Sequence, residues 1–175
     1  NSSLTASSVI LILSFLVCVT LLFGNFVAIK QTNVKRLLAY SSIAHTGFLM
    51  MALPAMESDF HSKLIGPSSM ESISFYLAGY LLMTMLCFLV LTIVSAATNG
   101  ESIDDLKGLG ARSPLLAFAM LVGIASLAGI PLTVGFFGKF FLFNIAIQYA
   151  VFSGSWYVVS FAVLGAAAGF YYYFK

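Results

Sequence analysis

The stretch Ser126-Leu127-Ala128-Gly129-Ile130-Pro131-Leu132-Thr133-Val134-Gly135-Phe136-Phe137-Gly138-Lys139-Phe140 lies inside an apolar run that extends from Pro114 to Phe152. Drawn as one straight helix, that run would be roughly 55–60 Å long, nearly twice the ~30 Å hydrocarbon core of a bilayer. Something must interrupt it, and Gly129-Ile130-Pro131 is the evident place. Proline has no backbone N–H and clashes with the preceding turn, which frees carbonyls around Ser126 to Ala128. At membrane depth such carbonyls are tolerated only inside protein or beside a water-filled cavity. Gly129, Gly135 and Gly138 add flexibility and permit close helix approach. The pattern reads as a helix broken within the membrane, with a lysine just beyond the break.

Composition supports a lipid environment. Of 175 residues, 61% are hydrophobic and 8% charged, and the mean hydropathy is +1.03. A soluble domain carries about 25% charged residues, and one this poor in charge would expose apolar patches beyond the few hundred Å² that monomers tolerate. Working outward from the broken run, candidate spans fall at about 8–29, 35–53, 73–97 and 156–174. Polar, turn-rich segments at 56–71, containing His61, Gly66 and Pro67, and at 98–113 separate them. The fold class is therefore all-α: a polytopic transmembrane helix bundle of about five spans, one of them proline-broken (about 114–150). Trp156, Tyr157 and the triplet Tyr171-Tyr172-Tyr173 are expected as interfacial belts.

Charge placement orients the bundle. With the broken run counted as one span, Lys30, Lys35, Arg36, Lys107, Arg112 and Lys175 fall on one side and Lys63 on the other. The positive-inside rule makes the first side cytoplasmic. All six acids are expected in loops. The net charge of +2 comes with no dense basic cluster, which argues against nucleic acid as a partner. Cys18 and Cys87 lie within apolar runs without metal-ligand spacing and read as lipid-facing or packing thiols. Asn1 is not a start methionine, the opening lacks the basic flank of a signal peptide, and the chain stops directly after an apolar run. Both ends read as cuts in a longer protein.

Lys139 is the residue most marked for function. A central lysine costs about 2.5–3.5 kcal/mol on translocon scales, so intramembrane lysines usually mark ion pathways. Snorkelling to the headgroups is the alternative, but Phe136, Phe137, Phe140, Phe141 and Phe143 around it argue for depth. A broken helix beside a lysine is the arrangement expected of an ion-translocating site. His45 lies within the second span, with Tyr40, Ser41, Ser42 and Thr46 nearby. Ser41 and His45 are four apart and share a helix face. That stripe fits either a hydrated proton path or structural hydrogen bonding between helices. Lys35-Arg36 at a helix start fits headgroup anchoring, and Tyr76 and Tyr80 fit packing. The sequence contains no phosphate loop, metal cluster, nucleophile–base pair or haem ligand pair.

Two long motifs now carry a resemblance. The string Gln31-Thr32-Asn33-Val34-Lys35-Arg36-Leu37-Leu38-Ala39-Tyr40-Ser41-Ser42-Ile43-Ala44-His45-Thr46-Gly47 and the stretch Ser126–Phe140 quoted above closely resemble the antiporter-like subunits of respiratory complex I, the NADH–quinone oxidoreductase. Asn33, Tyr76-Leu77-Ala78-Gly79-Tyr80 and the C-terminal tyrosines look most like the subunit N branch, whose mitochondrial relative is subunit 2. The resemblance covers essentially the whole chain. It implies a larger protein of about fourteen helices, with residues 1–175 forming one transmembrane unit that corresponds to helices nine to thirteen. Lys139 falls on the family's lysine in the outward proton half-channel of the broken twelfth helix, which includes Gly129 and Pro131. His45 falls on its helix-ten histidine, and Lys35 on the basic residue that starts that helix.

The resemblance implies proton transfer by Lys139, His45 and Lys35, with Tyr40, Ser41 and Ser42 as supporting polar groups. No cofactor is expected in this chain. NADH, FMN, iron–sulfur clusters and quinone belong to other subunits. Partners would be the other membrane subunits, the lipid bilayer and protons, in a bacterial cytoplasmic membrane. The family's glutamate on helix five and lysines on helices seven and eight would lie upstream of Asn1, so this stretch is not expected to pump protons alone. A subunit of a multisubunit sodium/proton antiporter and a structural or assembly membrane protein are the alternatives.

Overall fold

The computed structural model describes residues 2–56, 66–98 and 100–175, with side chains from Ser8 onward. His61 and Lys63 lie outside the described residues. Those described are helical throughout their ordered elements: α1 Ser2–Ile29, α2 Val34–Met50, α3 Ser69–Thr98, a four-residue α4 Leu109–Arg112, α5 Pro114–Ala128, α6 Val134–Ser153 and α7 Trp156–Tyr173. Single 3-10 turns occupy Pro54–Met56 and Ile103–Leu106. Four segments, 8–29, 34–56, 69–98 and 134–153, are long and apolar enough to cross a bilayer, and Pro114–Ala128 is a shorter apolar helix. The expected multi-pass bundle with one interrupted helix is what the chain forms.

The helices start and stop where local chemistry satisfies their ends. Asn33 caps α2 by accepting from the Arg36 N–H at 3.0 Å. Before α3, Ser68 and Glu71 form a capping box: the Glu71 carboxylate accepts from the Ser68 N–H at 2.9 Å, and the Ser68 hydroxyl accepts from the Glu71 N–H at 3.3 Å. Glu71 is thus in the first turn of α3 rather than in a loop, and the span starts at Ser69, earlier than the hydropathy of 73–97 indicates. The 30 residues of α3 make about 45 Å of helix, longer than the ~30 Å core. Its charged first turn therefore extends beyond the apolar stretch.

Packing forms two adjoining cores. One joins Val17 and Leu21 of α1, Phe48 of α2, Leu142 and Ile145 of α6 and Ala162 of α7. The other joins Leu38 of α2, Met83 and Cys87 of α3, Leu127 of α5 and Tyr172 of α7. Both draw on α2 and α7. Apolar side chains on the outer faces, such as Phe15, Leu82 and Phe140, stay exposed, as a lipid-facing surface requires. Cys87 is fully buried in the second core, which settles it as a packing thiol. Small residues allow the closest approaches: a Cβ at Gly24 would sit 2.7 Å from the Ala44 backbone nitrogen, so α1 lies backbone against backbone on α2.

One end of the bundle is clasped. The turn after α1 and the segment before α4 form an isolated antiparallel bridge between Asn33 and Ser102. Its hydrogen bonds run from the Val34 N–H to the Glu101 carbonyl, 2.9 Å, and from the Ile103 N–H to the Thr32 carbonyl, 3.0 Å. Lys35 pairs with the Glu101 carboxylate, Asn33 donates to the same carboxylate at 3.4 Å, and Lys175 donates to the Ile29 carbonyl at 3.3 Å. The basic residues counted onto one side of the membrane are therefore gathered at one end of the helices.

Two outcomes follow from this architecture. Gly24→Ala is expected to lower the thermal unfolding midpoint in detergent, by about 1–3 kcal/mol in stability, because the neighbouring backbone cannot give way. Gly110→Ala, with open space around it, should stay within about 0.5 kcal/mol. Hydrogen bonds from Lys35 and then Asn33 hold the Glu101 carboxyl below its ordinary 4.5. A depressed carboxyl stabilises the fold above its unfolded value and loses that contribution as pH falls through the folded one. The difference in midpoint between wild type and Glu101→Gln should therefore be present at about pH 6 and fade as pH falls below 4.5 through the lowered folded value.

Candidate functional site

The break between α5 and α6 is made by two consecutive turns. Gly129 adopts φ 89°, a left-handed conformation that glycine reaches without a Cβ penalty. The Gly129 N–H donates to the Ser126 carbonyl at 3.1 Å, and the Ile130 N–H donates to the Ala125 carbonyl at 3.0 Å. That is a Schellman termination. Next, the Thr133 N–H donates to the Ile130 carbonyl at 3.2 Å, with Pro131 second and Leu132, at φ 77°, third. Those are the marks of a type II turn, in which the third position ordinarily needs glycine. A leucine there holds strain of order 1–3 kcal/mol.

Gly129 therefore ends α5, and Pro131 shapes the turn that follows rather than kinking a continuous helix. The Ser126 carbonyl, expected to be freed, is occupied. Those left for another donor belong to Leu127 and Ala128. On the far side, the Thr133 side chain caps α6, and the Ser126 hydroxyl accepts from the Gly135 N–H at 3.2 Å. The half-helices are thus tied to each other across the gap.

Lys139 supplies the missing donor. Its ammonium donates to the Leu127 carbonyl at 2.9 Å and to the Ala128 carbonyl at 3.1 Å. The residue is only 7% exposed, so it does not snorkel. It forms no ion pair among the described residues. A Cβ at Gly129 would stand 3.3–3.4 Å from the lysine's Cδ and Nζ, so the glycine also makes room for the side chain. The break lies beside the middle of α3: Gly79 faces Val134, Met83 faces Gly135, and Cys87 faces Gly123.

His45 is buried and hydrogen-bonded through both ring nitrogens, Nδ1 to the Tyr76 hydroxyl at 2.5 Å and Nε2 to the Tyr173 hydroxyl at 3.3 Å. The Tyr80 ring lies 4.9 Å from the imidazole, centroid to centroid, and its hydroxyl donates to Ser42 at 2.7 Å. Ser41, which donates to the Leu38 carbonyl at 2.8 Å, also meets the Tyr173 hydroxyl, as does Tyr172. Gly138 on α6 allows this close packing, since a Cβ there would run into the Tyr76 ring at 2.6 Å.

Of the residues singled out from sequence, His45, Ser41 and Ser42 are brought together. Lys139 is one aromatic ring away: its ammonium lies 5.3 Å from the centre of the Phe48 ring, which is itself 6.3 Å from His45. Tyr40 turns instead toward Phe23 of α1, at 6.4 Å. Lys35 sits at the clasped end, paired with Glu101, a position that fits anchoring.

Tyr76 and Tyr80 were expected to pack only, and their hydroxyls prove to be part of the polar cluster. Tyr172 and Tyr173 were expected at the interface but are buried, and only Tyr171 of the triplet, 61% exposed, faces outward. Sequence reading missed these partners because they join positions 31 and 128 residues apart. The one local signal was the four-residue spacing of Tyr76 and Tyr80, which puts both on one face of α3.

Solved structures share this fold. A chain of respiratory complex I from Thermus thermophilus, solved with bound aureothin, is 35% identical over 93% of this chain and 34% of that chain, with a TM-score of 0.73. A chain of the membrane-bound sulfane sulfur reductase, an archaeal respiratory membrane complex, is 26% identical over 96% of this chain and 32% of that one, with a TM-score of 0.79. The chain thus spans about a third of the length of these relatives. Residues 2–167 match the family described as NADH:quinone oxidoreductase/Mrp antiporter, TM. With nearly its whole length inside that match, the chain belongs to the NADH:quinone oxidoreductase/Mrp antiporter transmembrane family.

Proposed function

We propose that this chain is part of a proton-translocating membrane subunit of a complex I-type NADH–quinone oxidoreductase, of the subunit N branch, in a bacterial cytoplasmic membrane. Lys139 is its proton-carrying group. The observation that carries this reading is a buried ammonium whose hydrogen bonds go to backbone carbonyls at a helix break, without an ion-pair partner among the described residues. A purely structural site would favour a neutral donor there, given the cost of a charge at membrane depth. A group that must gain and lose a proton has to be ionisable and must accept that cost.

The histidine cluster supports a second element of the route. His45 presents one nitrogen to each of two tyrosine hydroxyls. Imidazole can take a proton at one nitrogen and release one from the other, and a hydroxyl can donate and accept at once. The serine stripe of α2 extends this set toward the clasped end. Lys35 acts there as an electrostatic anchor in its pair with Glu101. Electron transfer and its cofactors belong to partner subunits.

Lys139→Met, introduced into the intact complex in proteoliposomes, should reduce proton translocation roughly tenfold or more. The assay is run in sodium-free buffer, where a sodium/proton exchange has no substrate. Unchanged translocation and quinone-reductase turnover would make the lysine structural. His45→Gln keeps a hydrogen-bonding side chain but cannot relay a proton between two nitrogens. It should slow translocation while shifting stability by no more than about 1–2 kcal/mol. Loss of stability with full translocation would instead identify His45 as interhelical glue.

A further inference from the structure

We propose that Phe48 is a positioning residue for Lys139, holding the lysine's ammonium against the face of its ring. This inference rests on the reading of Lys139 as the proton carrier and deepens it. An ammonium has three N–H donors. Two are accounted for by the Leu127 and Ala128 carbonyls, and among the described residues no carboxylate pairs with the group. The remaining stabilisation comes from an aromatic face: Nζ lies 5.3 Å from the centre of the Phe48 ring, within the ~6 Å range in which a ring's negative face attracts a cation. Because Lys139 and Phe48 are both buried, this attraction is stronger than it would be at a surface.

The ring is built to stay in place. Phe48 is almost wholly buried. It packs against Phe143 with centroids 6.1 Å apart, and against His45, one turn earlier on the same helix, at 6.3 Å. Phe143 lies on α6, four residues after Lys139, so one helix supplies both the cation and the brace for the ring that receives it. A leucine at position 48 could fill the volume but would present no electron-rich face. The ring also lies close to both His45 and Lys139, so it meets both polar groups of the proposed route without hydrogen-bonding to either.

Fluorine on the ring withdraws charge from its face and leaves its shape nearly unchanged. The test therefore places 4-fluoro-, 3,5-difluoro- and 3,4,5-trifluorophenylalanine at position 48 of the intact complex, in both Lys139 and Lys139→Met backgrounds. Thermal midpoint and proton translocation are read for each. With Lys139 present, both should fall stepwise with fluorine number, translocation by about tenfold for the trifluoro ring, which corresponds to about 1.4 kcal/mol. With methionine at 139 the midpoint should be insensitive to fluorination. A midpoint trend that is flat, or that is the same in both backgrounds, overturns the contact. A midpoint trend without a translocation trend overturns the positioning role. If Lys139→Met itself leaves translocation intact, the reading of Lys139 fails and Phe48 loses its role with it. If that variant disables translocation while fluorination does nothing, Phe48 alone is removed.

Discussion

In hydrocarbon every backbone N–H and C=O must find a partner within the protein, and this bundle is arranged around that demand at one place. Ending a helix at Gly129 exposes the carbonyls of its last turn. The Schellman turn takes those of Ala125 and Ser126, and the lysine ammonium takes those of Leu127 and Ala128. The opposing N-terminus is met by Thr133 and by the Ser126 hydroxyl. No water or distant loop is needed for these groups. Helix break and lysine are therefore one device, because neither is affordable at this depth without the other. The glycines at 129, 135 and 138 serve it by letting a lysine, a carbonyl and a tyrosine ring come as near as they do.

The histidine cluster answers the same demand with side chains. Three tyrosines surround one imidazole, two serines meet the hydroxyls of those tyrosines, and each ring nitrogen has its own hydroxyl. A buried polar network of this kind is favourable only when its members are satisfied together. Its components come from α2, α3 and α7, so it also fixes how those helices face one another. The clasp between the Asn33 turn and the Glu101–Ile103 segment works differently. It sits at the aqueous end, uses exposed charges and a short bridge, and orders loops rather than the interior.

Much of this was legible in the sequence because it is local. The length of the apolar run required a break, Gly129-Ile130-Pro131 located it, and the burial of Lys139 followed from its aromatic neighbours. Hydropathy blurred the helix ends: Ser68-Ser69-Met70-Glu71 reads as too polar for a span, yet its Ser-x-x-Glu spacing is a capping box that starts α3. The partners of His45 were not legible. Tyrosine near a membrane helix end usually marks the interface, and whether it turns inward depends on which helix lies opposite. Tyr172 and Tyr173 turn inward because α2 and α3 meet there, whereas Tyr171 does not. Leu132 was equally hidden, since nothing local announces a leucine in a glycine conformation.

The contact between Lys139 and the end of α5 has a thermodynamic corollary. The two carbonyls accept charge-assisted hydrogen bonds only while the side chain is an ammonium and lies across the break. Proton occupancy at Lys139 and the geometry of residues 127–133 are thus linked variables, and linkage is reciprocal. Whatever displaces the end of α5 must alter the lysine's affinity for its proton, and removal of that proton must bias the position of α5 by the same free energy. A mechanical signal arriving through the helix and a chemical one arriving through the proton would then be two readings of a single equilibrium.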